Sequence, residues 1–210
     1  MSRTILESAG PDLVRSPFIV LVDQAEKAPW RFTDIRARSF VDKEMRAYVI
    51  RTEVRFLGIG AGDYCLAGFE GRVGIERKSV ADFQGTLLGW PHESDGAAEN
   101  TITIDRRARF KRELARLSRM ECTAVIVEGT LGECLGNVPS WGKRTAGENA
   151  KYLHSTYIAW QQEFRRVPWI FCDDPRSAEI TALRILEQFW ARKQKMRKQQ
   201  ESPLFAALVP

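Results

Sequence analysis

The chain of 210 residues has no run of about 18 apolar residues, so no segment is built to span a membrane as a helix. The opening stretch MSRTILESAGPDLVRS holds no apolar core of the kind a secretory signal needs. Cysteine is scarce and scattered at Cys65, Cys122, Cys134 and Cys172, with no CxxC pair. Only His92 and His154 could join them, so the spacing argues against a structural zinc site and for buried, reduced thiols. No internal repeat and no low-complexity block is present. These absences exclude a disordered chain, a collagen-like fibre, a disulfide scaffold and a helical membrane protein. What remains is an ordinary globular balance, 44% apolar and 28% charged, enough for a sizeable core in one domain.

The net charge of +5 is unevenly placed. Residues 184–198 carry Arg184, Arg192, Lys193, Lys195, Arg197 and Lys198 against the single acid Glu187, so the rest of the chain is neutral in sum. A basic terminus attracts phosphate backbones; it is equally what a solvated helix end looks like.

Helical and strand patterns alternate. Residues 18–22 (FIVLV) read as a buried strand. Residues 24–45 read as irregular or partly helical and 47–57 as extended. Two strands, 63–67 and 73–78, flank a Gly-rich turn at 68–72. Helices are predicted at 79–88, 105–120, 148–166 and 175–198, the last with Asp174 as N-cap and Pro175 in its first turn. Strands are predicted at 124–128 (AVIVE) and 169–172. Residues 1–16, 89–100 and 131–147 read as loops or tail, punctuated by Gly and Pro. The order predicts an α/β layered fold, with a tail at 1–16, one domain at 17–198 (core 17–172, basic helix 175–198) and a tail at 199–210.

The informative stretch is 62–82, GDYCLAGFEGRVGIERKSVAD. If the hairpin turn is centred between Phe69 and Glu70, Asp63 and Glu76 lie opposite each other. Such neighbours have Cβ atoms about 5 Å apart. Two carboxylates that close repel unless a cation or a proton lies between them, and oxygen ligands suit Mg²⁺ or Mn²⁺. Glu76 and Lys78 share a face, while Arg77 points the other way. Two acids and a lysine on one patch suit metal-assisted phosphodiester hydrolysis. The same residues could also be ordinary cross-strand pairing on a surface hairpin.

Asp63, Glu76-Arg77-Lys78 and Asp82, four residues after the lysine, form the pattern GDX(n)ERKX(3)D. This resembles the nuclease domain of the XPF family of structure-specific endonucleases, within the PD-(D/E)XK superfamily, in its compact phage or bacterial versions. Residues 22–26 (VDQAE) resemble the family's upstream V-D-x-R-E element, with Ala25 in place of its arginine. Residues 109–114 resemble its next helix and 124–129 (AVIVEG) its next core strand. The resemblance implies a restriction-endonuclease-like core, a central mixed β-sheet flanked by helices. It implies an Mg²⁺- or Mn²⁺-dependent DNA endonuclease acting at branched, flapped or single-strand-containing DNA, in repair, recombination or phage DNA processing. It implies a cytoplasmic setting in a bacterial cell or phage-infected host. By the same resemblance Asp63 and Glu76 bind the metal, helped by the backbone carbonyl of Arg77, and Lys78 is the catalytic lysine. Asp23 and Glu26 edge the site. Arg77 and Asp82 shape it or contact phosphate; a plain Arg77–Asp82 pair is the structural alternative. No tandem helix-hairpin-helix signature follows, so a homodimer or a partner subunit could supply further grip. The rival readings are a non-catalytic DNA-binding subunit and an RNA-directed nuclease.

Two further features could touch DNA. In the helix at 105–120, Arg109, Arg112, Arg116 and Arg119 form a basic stripe beside an apolar one of Phe110, Leu114 and Leu117. Lys143 and Arg144 sit next to Trp141 in a Gly-rich loop. Both features also read as a solvated face or a packing anchor.

Overall fold

The structure, a computed structural model, describes residues 13–38, 45–57, 62–90, 106–140 and 143–201. Seven strands form one mixed sheet: β1 (Leu13–Asp23), β2 (Arg36–Arg38), β3 (Met45–Arg55), β4 (Tyr64–Leu66), β5 (Val73–Ser79), β6 (Cys122–Glu128) and β7 (Trp169–Phe171). Their order is β2-β3-β1-β4-β5-β6-β7. The β1/β3, β5/β6 and β6/β7 pairs are parallel and the others antiparallel. The helices are α1 (Val80–Leu88), α2 (Arg106–Leu117), α3 (Leu131–Gly136), α4 (Ala146–Glu163) and α5 (Pro175–Gln200). This is the α/β architecture expected, a mixed sheet flanked by helices on both faces.

Strand alternation divides the core in two. Val22, Tyr64, Ile75 and Ile126 face α5, where Leu183, Leu186 and Phe189 are fully buried. Val125 and Val127 face the other way, onto Phe83 of α1, Phe110 and Leu114 of α2, and Leu153 and Trp160 of α4. On β5 the same alternation sends Ile75 and Arg77 toward the α5 face and Glu76 and Lys78 toward α1 and α2.

Three expectations need correction. The segment 131–147 is not all loop, because α3 occupies its start. Thr130 accepts a hydrogen bond from the Glu133 backbone while Glu133 accepts from Thr130, a capping box that outweighs the helix-weakening Gly132. The segment 24–45 holds no helix among its described residues, which include the short strand β2 and the first residue of β3. Residues 13–16 belong to β1 rather than to a tail. The β1/β3 register shifts between Arg15 and Ile19, around Pro17, which has no N–H for the ladder.

Residues 1–12, Trp141 and 202–210 lie outside the described residues, as do 91–100 of the predicted acidic loop. No helix among the described residues is long and apolar enough to cross a membrane.

Candidate active site

The hairpin β4/β5 has the register its sequence predicts. Tyr64 pairs with Ile75, so Asp63 and Glu76 are next across the ladder. The strand itself starts one residue after Asp63, which is held by two backbone contacts. The Asp63 carbonyl accepts from Asp23 N–H at 2.8 Å, and the Asp63 Oδ2 accepts from Arg77 N–H at 2.7 Å.

Gly62 makes this approach feasible. Its φ is +73°, and a Cβ there would lie 2.7 Å from the Ile75 carbonyl oxygen, which is fixed in β5. Gly62→Ala is therefore expected to cost about 2 kcal/mol or more in urea unfolding.

α1 begins directly after β5. Ser79 caps it by accepting from Asp82 N–H, which places Asp82 one helical turn from Lys78. The Lys78 ammonium donates to Asp82 Oδ2 at 2.8 Å and to Glu76 Oε1 at 3.3 Å, and lies 4.0 Å from the Phe110 ring centre. Lys78 and Glu76 are only 5% and 6% exposed. Asp82 also accepts from Arg106 at 2.5 Å and from Thr86 at 3.4 Å. The Arg77–Asp82 pair is not formed, because β5 alternation puts the Arg77 side chain on the opposite face. There it is gripped by Glu128 at 2.8 and 3.0 Å and by Glu26 at 2.9 Å.

Asp63, Glu76, Lys78, Asp82, Arg106 and Glu113 meet around a cavity of about 180 Å³. Glu26 and Arg109 also reach its lining. Asp23 does not; its carboxylate closes a local turn on Ala25 N–H. Arg112 and Arg119 are exposed but away from the cavity, and Arg116 is half-buried with its Nε unpartnered. Lys143 and Arg144 are exposed and do not line it, and Arg144 lies 4.3 Å from the Tyr152 ring centre.

The electrostatics are those of carboxylates short of positive charge. Burial pushes the Asp63 carboxyl up to about 7, against its hydrogen bond from Arg77 and the Lys78 charge. Burial and then the Asp63 charge raise Glu76 well above the usual carboxylate range. Glu76 Oε2 is buried and receives no donor. Glu113, from α2, also lies close enough to raise Glu76 further. Burial opposes the Lys78 charge, but Glu76 and Asp82 outweigh it and keep the amine an ammonium.

Sequence reasoning did not single out Glu113, Arg106, Thr86 or Glu128. One signal was available: Glu113 is the one acid in the otherwise basic α2. Glu128 closing a core strand gave no such mark.

Among the described residues, no group of three or more His, Cys, Asp or Glu side chains is arranged to hold a metal ion by itself. Two carboxylates with an unpartnered buried oxygen do fit Mg²⁺, which keeps several of its waters and takes one or two carboxylates.

The sequence matches no family in a comparison with models of known protein families, and a comparison with curated proteins finds no match either. Among solved structures this chain is similar to XPF from Aeropyrum pernix, at 19% sequence identity and a TM-score of 0.48, over 89% of this chain and 70% of that one.

Proposed function

We propose that this chain is a metal-dependent nuclease that hydrolyses phosphodiester bonds in DNA. The observation that carries the reading is the unpartnered, buried Glu76 Oε2 beside Asp63 and the Lys78 ammonium, at one small cavity. A buried oxygen without a donor is costly, and one that repels a second carboxylate is costlier still. Such an arrangement persists when a ligand completes it, and a cation is the complement.

Asp63 and Glu76 would hold Mg²⁺ or Mn²⁺, with the Arg77 backbone carbonyl as a further oxygen donor. Bound there, the ion would polarise the phosphate and acidify a water. Lys78 stays charged between Glu76 and Asp82, so it orients the attacking water and offsets charge on the phosphate rather than taking a proton. Asp82, held by Arg106, keeps the ammonium in place. Glu26 shapes the rim through Arg77, and Asp23 contributes through the backbone contact to Asp63.

Arg109 is the member of the predicted basic stripe that faces the cavity, and so the first candidate for a phosphate contact. Arg109→Ala is expected to weaken DNA binding and to reduce the slope of log K against log salt by about 1, measured by fluorescence anisotropy at several salt concentrations. An unchanged slope would return the helix to a solvated face.

The reading is tested by cleavage of labelled single-stranded, duplex, flapped, splayed-arm and four-way-junction DNA, with RNA beside them, in Mg²⁺, Mn²⁺ or EDTA. Metal-dependent DNA cutting lost in Glu76→Ala supports it. Preferential RNA cutting would change the substrate class. Binding without cutting in any metal would make the chain a non-catalytic subunit.

A further inference from the structure

On the α5 face of β5, at the edge of the cavity that Arg77 helps to line, its guanidinium is held by groups from two other parts of the chain. Glu128, at the end of β6, takes Nε and Nη2 as a two-point clamp at 2.8 and 3.0 Å. Glu26 and the Ala28 carbonyl take Nη1 at 2.9 and 2.6 Å. The guanidinium carbon lies 5.4 Å from the Trp30 ring centre. Trp30 in turn donates its Nε1–H to Glu128 at 2.8 Å and stacks on Tyr64 at 4.7 Å. The Glu128 side chain is only 5% exposed, so this is a carboxylate taken out of water to meet one guanidinium and one indole.

The network ends on the Asp63 carboxylate. Arg77 donates its backbone N–H to Asp63 Oδ2, and Tyr64, the ring under Trp30, is the residue after Asp63. Clamping the Arg77 side chain therefore fixes the peptide that aims Asp63.

We infer that Glu128 is a positioning residue of the active site, acting through Arg77 on the orientation of Asp63. This rests on the nuclease reading. It makes holding Asp63 in place the main work of the Arg77 side chain, since four of its five N–H donors are engaged by Glu128, Glu26 and Ala28. It gives the loop at residues 24–35 a role in the site, because Glu26, Ala28 and Trp30 hold the same guanidinium. Lysine cannot replace Arg77, because an ammonium cannot make the two-point clamp on Glu128.

The test is Mn²⁺ binding to the full chain, read from the electron paramagnetic resonance signal of free Mn²⁺, beside kcat and KM for DNA. Outer partners of ligating carboxylates typically change metal affinity by about 10–100-fold, and Glu128→Gln is expected to weaken Mn²⁺ by that factor. It should lower kcat with KM little changed, and Glu128→Asp should recover part of both. Arg77→Lys should act alike, and the double variant Arg77→Lys/Glu128→Gln should be no worse than either single one. Glu121→Gln, in the surface cluster with Arg72 and Lys193, is the control for a merely structural ion pair.

Wild-type Mn²⁺ affinity and kcat in Glu128→Gln would overturn the inference while leaving the nuclease reading standing, provided Asp63→Ala abolishes binding. No Mn²⁺ binding by the wild type would remove the reading and the inference together. If Glu128→Gln does not fold, Glu128→Asp decides by the same two measurements.

Discussion

If the proposed nuclease reading holds, Glu76→Gln is expected to lower metal-dependent cleavage by a factor on the order of 10³ in kcat and to leave the metal-free protein about 1 kcal/mol more stable. The two effects have one cause. Glu76 sits 6% exposed with Oε2 unpartnered, facing Asp63 and Glu113. Without metal this is an unfavourable place for a charge, so burial drives the carboxyl toward its protonated form. Glutamine keeps the volume and can still accept from Lys78 through its carbonyl, while the repulsion disappears. It cannot serve as an anionic ligand, so the site loses its affinity for a divalent ion. Cleavage of the preferred DNA and thermal melting in EDTA at pH 8 measure both consequences. A stable variant that still cuts would remove Glu76 from the site. A variant that neither cuts nor folds would mean Glu76 is chiefly structural.

The second large effect is a pH dependence of stability. The Asp63 carboxyl is raised to about 7 from its ordinary 3.8. Below about pH 4 both folded and unfolded chains hold this proton. Between about 4 and 7 the unfolded chain has lost it and the folded one keeps it, so stability falls as pH rises. Above about 7 the buried carboxylate is ionised and the loss is complete, about 4 kcal/mol from this group. In EDTA the melting temperature should therefore drop between pH 5 and pH 8, and Asp63→Asn should flatten that drop. Mg²⁺ should restore stability most at high pH, because binding competes with the proton. A melting temperature that is flat with pH and indifferent to Mg²⁺ would contradict the crowded-carboxylate description.

The candidate site was legible where its chemistry is local. The Asp63–Glu76 opposition followed from a turn centred near residues 69 and 70, and Tyr64↔Ile75 is the register that turn dictates. The split of Arg77 from Glu76 and Lys78 followed from the two-residue period of a strand. The Asp82 position followed from a helix starting at Ser79. The loop predicted over α3 shows the limit of reading by composition. Glycines at 132 and 136 masked a capping box whose two partners, Thr130 and Glu133, were both visible in the sequence.

Side chains arriving from distant elements were not legible. Glu113 and Arg106 come from α2 and Glu128 from β6, each 24–51 residues from the partner it meets in β5 or α1. The basic stripe read from α2 was a set of spacings with no orientation. Docking of Phe110 and Leu114 into the core turns Arg109 to the cavity and Arg112 away from it.

The sequence by itself determined the α/β order of elements, the hairpin register and the facing of the two carboxylates, because each depends on turn length and strand alternation over a few residues. Only the tertiary structure decided how those carboxylates are charged and what holds them. Burial, the pairing of Lys78 with Asp82 and the clamp of Glu128 on Arg77 depend on which helices and strands pack around the hairpin, and no local pattern encodes that.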